Sequence, residues 1–329
     1  MPDVDLHEEV DRLVSQVPEG MVTTYGLVAT ALGDIVASRF VGKVMSENDD
    51  IVRVPCRRVV QSDGSLGGYT GGGMAAKRRA LRAEGVEIEG NMIVGFERVL
   101  FSDFKTKYPL REFRKIQVRD SKKLVLEDDF SGSDLVAGTD IAYEGDNAYG
   151  SLVVFAGGSM KPKRIVVVKA EAEFPYIPTY LTFREAPIVE KLYRRLGEDA
   201  LIVHDGNGII HPLGFGVASH IGVMLGVPTI GVAKKLLCGK VSGKGAVRKV
   251  VLDRTHVGYA VSGRESGSPV YVSPGHRISV GSAMRMLRPY WRYRLPEPVR
   301  AAHIEAGKFR NCDALAARKK HRQSSESRY

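Results

Sequence analysis

Cysteine is scarce: Cys56, Cys238 and Cys312 are the three in 329 residues, far apart and with no C-x-x-C pair. That usage excludes a disulfide framework and supplies no zinc site, leaving free thiols suited to a reducing compartment. Long apolar runs are missing too, none reaching the roughly 18 residues of a membrane span. The opening "MPDVDLHEEV" is acidic and lacks the charged-then-apolar order of a secretory signal, so a cytoplasmic protein with no membrane partner is expected. "CGKVSGKG" lacks both the spacing to Lys244 and the following Ser or Thr that a phosphate-cradling loop requires. Acidic side chains fall short of basic ones, giving a net charge of +10 and a pI of about 9.4. An excess of that size favours a polyanion partner, of which nucleic acid is the commonest.

What is present divides near residue 101. Val4, Leu6, Val10, Leu13, Val14 and Val17 recur at helical spacing until Pro18 and Gly20 stop them. "TTYGLVATALG" predicts a second helix, capped from Thr23 or Thr24 and closed by Gly33. "ASRFVGKVMSEN" predicts a third, with Ser38 as N-cap and Phe40, Val41, Val44 and Met45 on its apolar face. The second and third have helix-turn-helix proportions, which a core helical hairpin shares. "QSDGSLGGYTGGG" is a glycine-dense loop, "MAAKRRALRAEG" a basic helix, and "VEIEGNMIVGF" a small hairpin. The stretch 101–112, "FSDFKTKYPLRE", has little periodicity and reads as a linker between a domain at 1–100 and another at 113–300. In the second domain three strand-like runs come first, then helices alternate with strands, which predicts an α/β mixed sheet. Residues 301–329 hold seven Lys/Arg against three Asp/Glu and read as a basic, mobile tail.

Within the second domain Asp140 ends a strand, Glu185 opens a helix and Asp205 ends the strand "LIVHD". Carboxylates gathered at the ends of adjacent strands repel one another unless a cation sits between them. Mg²⁺ suits such a set and would serve phosphodiester hydrolysis; solvated strand-end acids are the plainer reading of any one alone. Five words in one order, "FPYIPTYLTFRE", "HDGNGIIHPLGFGVASHIGV", "PTIGVAKKLLCG", "SPGHR" and "YRLPEP", resemble the endonuclease V family of deaminated-base repair nucleases. The resemblance, over roughly residues 110–300, implies an RNase H-like fold and Mg²⁺-dependent cleavage, with Mn²⁺ as a substitute, on the 3′ side of hypoxanthine. It implies Asp140, Glu185 and Asp205 as metal ligands, and His276 as a further metal-site or proton-handling residue. Lys234 would lie near the cleaved phosphate. Tyr176 would be the wedge that fills the gap left by the flipped base, with Gly206 and Gly208 allowing close approach to that base. Damaged DNA is the partner so implied, with inosine-containing RNA as an alternative. His204 departs from the apolar residue usual before the Asp, and reads as a core histidine bonded to backbone or as a modulator of the metal site.

In the first domain, "VPCRRVV" puts Cys56 between a proline and two arginines, where it could be a core thiol or a nucleophile. "VPEGMVTTYGLVATALG", "SRFVGKVMSEN", "VPCRRVV", "DGSLGGYTGG" and "KRRALRAEGV" together resemble the O6-alkylguanine-DNA alkyltransferase family, over about residues 5–100. The resemblance implies a mainly helical, helix-turn-helix, winged-helix-like domain that moves an alkyl group from guanine onto Cys56 without a cofactor. It implies Arg39 as the residue that replaces the flipped base, Tyr25 as a contact to the nucleotide's phosphate, and Asn48 as a support of the active-site turn. Tyr69 would donate toward the guanine oxygen and Glu84 would end a proton relay. Arg57 stands where the family motif has histidine. Arginine does not give up its proton near neutral pH, so it cannot relay one, though it can stabilise a thiolate. Active transfer is the expectation, and a non-catalytic lesion sensor or DNA tether the alternative.

Overall fold

In the computed structural model, which describes residues 2–129, 134–262 and 268–326 (side chains to 315), Asp5 opens the first helix, α1 (Leu6–Val14). Its carboxylate accepts from the backbone N–H groups of His7 and Glu8, satisfying donors that a helix start leaves free. The chain divides into two units, Met1–Ile116 with Pro175–Pro178, and Gln117–Phe174 with Thr179–Tyr329.

In the first unit β1 (Thr23–Thr24) leads into α2 (Tyr25–Leu32), capped by the Thr24 hydroxyl and closed at Gly33, whose φ of 116° suits a residue without Cβ. A 3₁₀ turn precedes α3 (Ser38–Glu47), which buries Phe40, Val41, Val44 and Met45. Ser38 is not the cap expected of it; it is already helical, and its hydroxyl donates back to the Ile35 carbonyl. A second 3₁₀ turn, Cys56–Arg58, runs into β2 (Val59–Val60), which pairs in parallel with β1. The basic helix follows as α4 (Gly73–Ala83), and β3 (Ile88–Glu89) with β4 (Met92–Ile93) form the hairpin. The stretch read as a linker is without helix or strand only to residue 108; from Pro109 it is helix α5 (Pro109–Ser121). Proline suits a first helical turn, where its missing N–H costs nothing, and Leu110 and Phe113 are buried. The boundary between units falls inside that helix.

The second unit is built on a nine-stranded mixed sheet. Its elements are β5 (Leu135–Glu144), β6 (Asn147–Ala156), β7 (Arg164–Glu171), α6 (Leu181–Leu196), β8 (Leu201–His204), α7 (Val217–Leu225) and β9 (Thr229–Ala233), then β10 (Lys240–Ser242), β11 (Val247–Leu252), β12 (Thr255–Val261), β13 (Val270–His276), α8 (Val280–Leu287) and α9 (Glu297–Glu326). The sheet order is β10-β11-β12-β13-β9-β8-β5-β6-β7, with β5, β8 and β9 parallel and the other pairs antiparallel. β8 and β9 are buried along their whole length and β5 over much of it, so these strands are mainly apolar, as strands covered on both faces tend to be. Opposite faces carry α9 and α6. A Cβ on Gly138 of β5 would overlap the Pro298 carbonyl of α9, and one on Gly150 of β6 would overlap Ile188 of α6. The pairing Gly138↔Val153 sets those two glycines on different faces.

The segment from 301, read as a mobile tail, is the body of α9. Ala301, Ala302 and Ala306 are buried, small enough to let the helix lie on the sheet. The Ser151 hydroxyl donates to the Ala302 carbonyl, Phe309 packs edge-on to Tyr149, and Asp313 accepts from Tyr149 and Lys169. Composition alone hid this, because the alanines that dock the helix look unremarkable beside its seven basic residues. Among the described residues no helix is long and apolar enough to cross a membrane.

Candidate active sites

Each unit carries one candidate site. In the first, the Thr24 cap and the β1–β2 pair bring the start of α2 beside the turn that holds Cys56. A cavity of about 340 Å³ opens there, lined by Cys56, Tyr25, Met45, Gly68, Tyr69 and Thr70 among others. Cys56 is 5% exposed, with Sγ 3.8 Å from the Thr70 hydroxyl. Asn48 holds the approach to it: its amide donates to the Val54 carbonyl at 2.9 Å, and its oxygen accepts from the Asp50 N–H at 3.0 Å. Gly71 lets the Tyr69 ring lie where any Cβ would meet it. Arg39 is exposed at the start of α3.

Arg57 and Arg58 both reach Glu84, at the C-terminal end of α4. Arg57 Nε donates to Oε1 at 2.5 Å and Arg58 Nε to Oε2 at 2.7 Å, while their other nitrogens donate to the carbonyls of Ile51 and Val17. Burial alone would raise the Glu84 pKa; the hydrogen bonds from Arg58 and Arg57 outweigh it and hold the carboxyl below its ordinary range. Glu84 therefore stays ionised and has no call to take up a proton. Lys77 on α4, which the sequence reading passed over, is wholly buried and donates to the carbonyls of Val59 and Gly68. Burial brings its pKa down to about 8, against an opposing pull from Cys56. The thiol thus lies in a field of three cations and one carboxylate.

The second site follows from sheet register. β5 and β8 are parallel neighbours with Thr139 opposite His204, so Asp140 and Asp205, one residue on, emerge side by side. His303, on α9, completes the group: ligand atoms of Asp140, Asp205 and His303 all lie within 4.8 Å of one another. His303 Nδ1 is 2.8 Å from Asp140, and Lys234 donates to Asp205 at 2.5 Å. Burial and then the neighbouring Asp205 push the Asp140 pKa up, with His303 and Lys234 opposing. Two carboxylates and an imidazole converging, with Lys234 already drawn to Asp205, are donors that fit a divalent metal ion. Glu185 is at the adjoining end of α6, feels both aspartates, and is hydrogen-bonded to His204 at 2.9 Å.

Other residues fall differently from expectation. His276 pairs with Thr229, whereas Asp205 lies beyond His204, which pairs with Gly231; that is the opposite end of β9, about 10 Å along the strand at 3.3 Å per residue. His276 Nδ1 accepts from the Val125 N–H instead, and the structure does not bring it to the aspartates. His303 takes the place expected of it; the i, i+4 spacing of Ala302 and Ala306 after "LPEP" was a signal for the helix that carries it, and not for the histidine itself. His204 bonds to side chains, not backbone, correcting the reading of it as a backbone-bonded core residue. Gly206 and Gly208 press on the chain itself, since a Cβ there would overlap Val217 or the Pro274 carbonyl. Asn207, between them, has a buried Oδ1 with no partner. Tyr176 is 62% exposed.

A mixed-sheet unit with a metal-fitting acidic cluster, and a helical unit with a cysteine pocket, define a two-site enzyme of nucleic-acid type. The family model for Endonuclease V matches residues 119–304, and that for the 6-O-methylguanine DNA methyltransferase DNA-binding domain matches residues 5–86. A bifunctional methyltransferase/endonuclease of Picrophilus torridus is 36% identical over 92% of this chain and 96% of its own length. Its namesake in Thermoplasma volcanium is 38% identical over 91% and 88%. Among solved structures, the catalytic domain of human Endonuclease V aligns with a TM-score of 0.58 at 30% identity, over 64% of this chain and 98% of that one. Ciona intestinalis Endonuclease V, in complex with DNA containing an inosine, aligns with a TM-score of 0.56 at 26% identity, over 60% and 96%. The chain belongs to the endonuclease V family, in the branch that carries the alkyltransferase domain at its N-terminus.

Proposed function

We propose that the chain repairs DNA by two independent reactions: transfer of alkyl groups from O6-alkylguanine to Cys56, and Mg²⁺-dependent cleavage 3′ to hypoxanthine. The observation that carries the reading is the convergence of Asp140, Asp205 and His303 on one point in one unit, with a thiol-lined pocket in the other. The same reading takes the second unit as RNase H-like and the first as winged-helix-like.

In the first reaction the Cys56 thiolate attacks the alkyl carbon, the carbon–O6 bond breaks, and guanine leaves as its oxygen receives a proton. Tyr69, lining the pocket, donates toward that oxygen. Arg57 and Glu84 hold each other as an ion pair and do not shuttle protons. Their part, with Arg58 and Lys77, is to put an excess of positive charge around the turn that carries Cys56. Arg39 and Tyr25 serve the flipped nucleotide, Asn48 the turn.

In the second, Asp140, Asp205 and His303 would hold the metal ion, with Glu185 beside them. The bound ion would lower the pKa of a water and steady the leaving oxygen. Lys234, beside Asp205, would supply a positive charge to the scissile phosphate. Asn207 offers its unpartnered oxygen to the edge of the extruded base, and Tyr176 stacks in the gap.

Two measurements test the pair. After incubation with O6-methylguanine DNA, the Cys56 peptide should gain one methyl by mass; an unmodified peptide at full lesion binding would leave a sensor, and no lesion preference a tether. Asp140→Ala should abolish cleavage of inosine DNA while sparing binding. Near-wild-type cleavage would refute the metal assignment, and preference for inosine RNA would move the substrate.

A further inference from the structure

His204 directly precedes Asp205, and strand alternation turns it to the opposite face of the sheet. It is 1% exposed there, and each ring nitrogen has a side-chain partner. Nδ1 lies 2.9 Å from the Thr139 hydroxyl and Nε2 lies 2.9 Å from Glu185 Oε2. Thr139 in turn directly precedes Asp140, and the register sets it opposite His204. The two residues before the two aspartates therefore form one buried chain that ends on a third carboxylate.

An apolar side chain would fill this space at less cost, because a buried imidazole must be desolvated. What the ring adds is a donor aimed at Glu185. When the Thr139 hydroxyl donates its hydrogen bond to Nδ1, the ring proton is fixed on Nε2, facing the carboxylate. That bond engages Oε2, so Glu185 is gripped by one oxygen and its rotation is restricted. Its carboxylate is close enough to Asp140 and Asp205 to be influenced by both charges.

We propose that His204 is a positioning residue which, braced by Thr139, holds Glu185 by one oxygen and presents the other to the divalent ion held by Asp140, Asp205 and His303. The proposal rests on the metal-site reading above. It makes the ring a determinant of metal affinity, although it does not touch the ion.

The test is calorimetric titration of Mn²⁺ into the full chain without DNA. His204→Leu removes the donor and should weaken Mn²⁺ binding by about tenfold or more, the usual effect of losing a hydrogen-bond partner of a metal ligand. His204→Gln, whose amide reaches the Nε2 position, should recover most of that loss. Thermal midpoints of the metal-free chains separate folding from binding. Equal or tighter Mn²⁺ binding by folded His204→Leu would overturn the proposal, tighter binding meaning that the ring competes with the ion for Glu185. Equal affinities for the Leu and Gln chains would overturn it too. If the leucine chain does not fold, His204→Asn, which reaches only the Nδ1 position, replaces it; parity with Gln is then the overturning result. A wild-type chain that binds no Mn²⁺ would remove the metal reading and this proposal together, an outcome distinct from those above.

Discussion

Both units bury carboxylates beside cations, and they do so with opposite consequences. Glu84 is held by two guanidiniums, groups that do not lose their charge near neutral pH and that are anchored to backbone carbonyls as well. Asp140 and Asp205 are met by an imidazole, which can exchange its hydrogen bond for a metal, and by a lysine, which can turn away when something more highly charged arrives. A site that reacts once, by a thiol already in place, gains from fixed charges. A site that must admit an ion and a phosphate needs partners that yield. The contrast can be broken experimentally at several points.

Chelation should separate the units most sharply. Removing divalent ions with EDTA should stop inosine-DNA cleavage, a loss of about a thousandfold or more because the metal generates the nucleophile. Methyl uptake by Cys56 should be unchanged, measured by mass on the same sample. Loss of both would mean the first unit also depends on an ion.

Next comes His303→Ala. As a ligand, its removal should slow single-turnover cleavage about a hundredfold, partly recoverable with excess Mn²⁺, which is within the range for groups that orient metal chemistry. His276→Ala should stay close to wild type, since that ring serves the Val125 N–H at the other end of the strand. A reversal of the two would restore the assignment made from "SPGHR".

Those two histidines also mark how far the sequence can be read. Helix caps at Asp5 and Thr24, the closing Gly33, the apolar face of α3 and the strand-helix alternation were legible because each depends on neighbours in the chain. Asp205 was legible because strand ends collect functional groups; Asp140, read as ending a strand too, lies inside β5, which runs on to Glu144, and it meets Asp205 because the shorter β8 stops beside it. His303 was not legible, because its role comes from a helix that folds back over β5 more than 150 residues after it, and a basic composition disguised that helix. Nor could the pinning of Arg57 and Arg58 by Glu84 be seen: adjacency to Cys56 suggested service to the thiol, while the fold spends the arginines on a carboxylate across the unit.

Glu84→Gln tests that expenditure. It leaves two partly buried guanidiniums without a carboxylate, and should lower stability by about 2–3 kcal/mol, below the 3–5 typical of fully buried pairs because Arg57 is partly exposed. The pH dependence has a definite sign. The folded-state pKa of Glu84 lies below its ordinary 4.5, so its contribution is present above that value and is lost as pH falls through the folded value. The difference in thermal midpoint between wild type and Glu84→Gln should therefore be full near neutrality and shrink in acid. A constant difference across that range would mean the loss is one of packing alone.

The smallest effect is expected at Tyr176, whose exposed ring sits between Pro175 and Ile177 with a second proline at 178. The prolines restrict the backbone, so the ring can be offered to a stack of bases with little entropy left to lose. If it fills the gap of a flipped base, its value is one stacking contact, about 1–3 kcal/mol. Tyr176→Ala should then reduce cleavage of paired inosine DNA about tenfold and of single strands about threefold or less, since a single strand has less stacking to replace. Tyr176→Phe should keep nearly all of the activity, because stacking needs the ring and not the hydroxyl. Equal losses on both substrates would mean the residue contacts the strand without replacing a base.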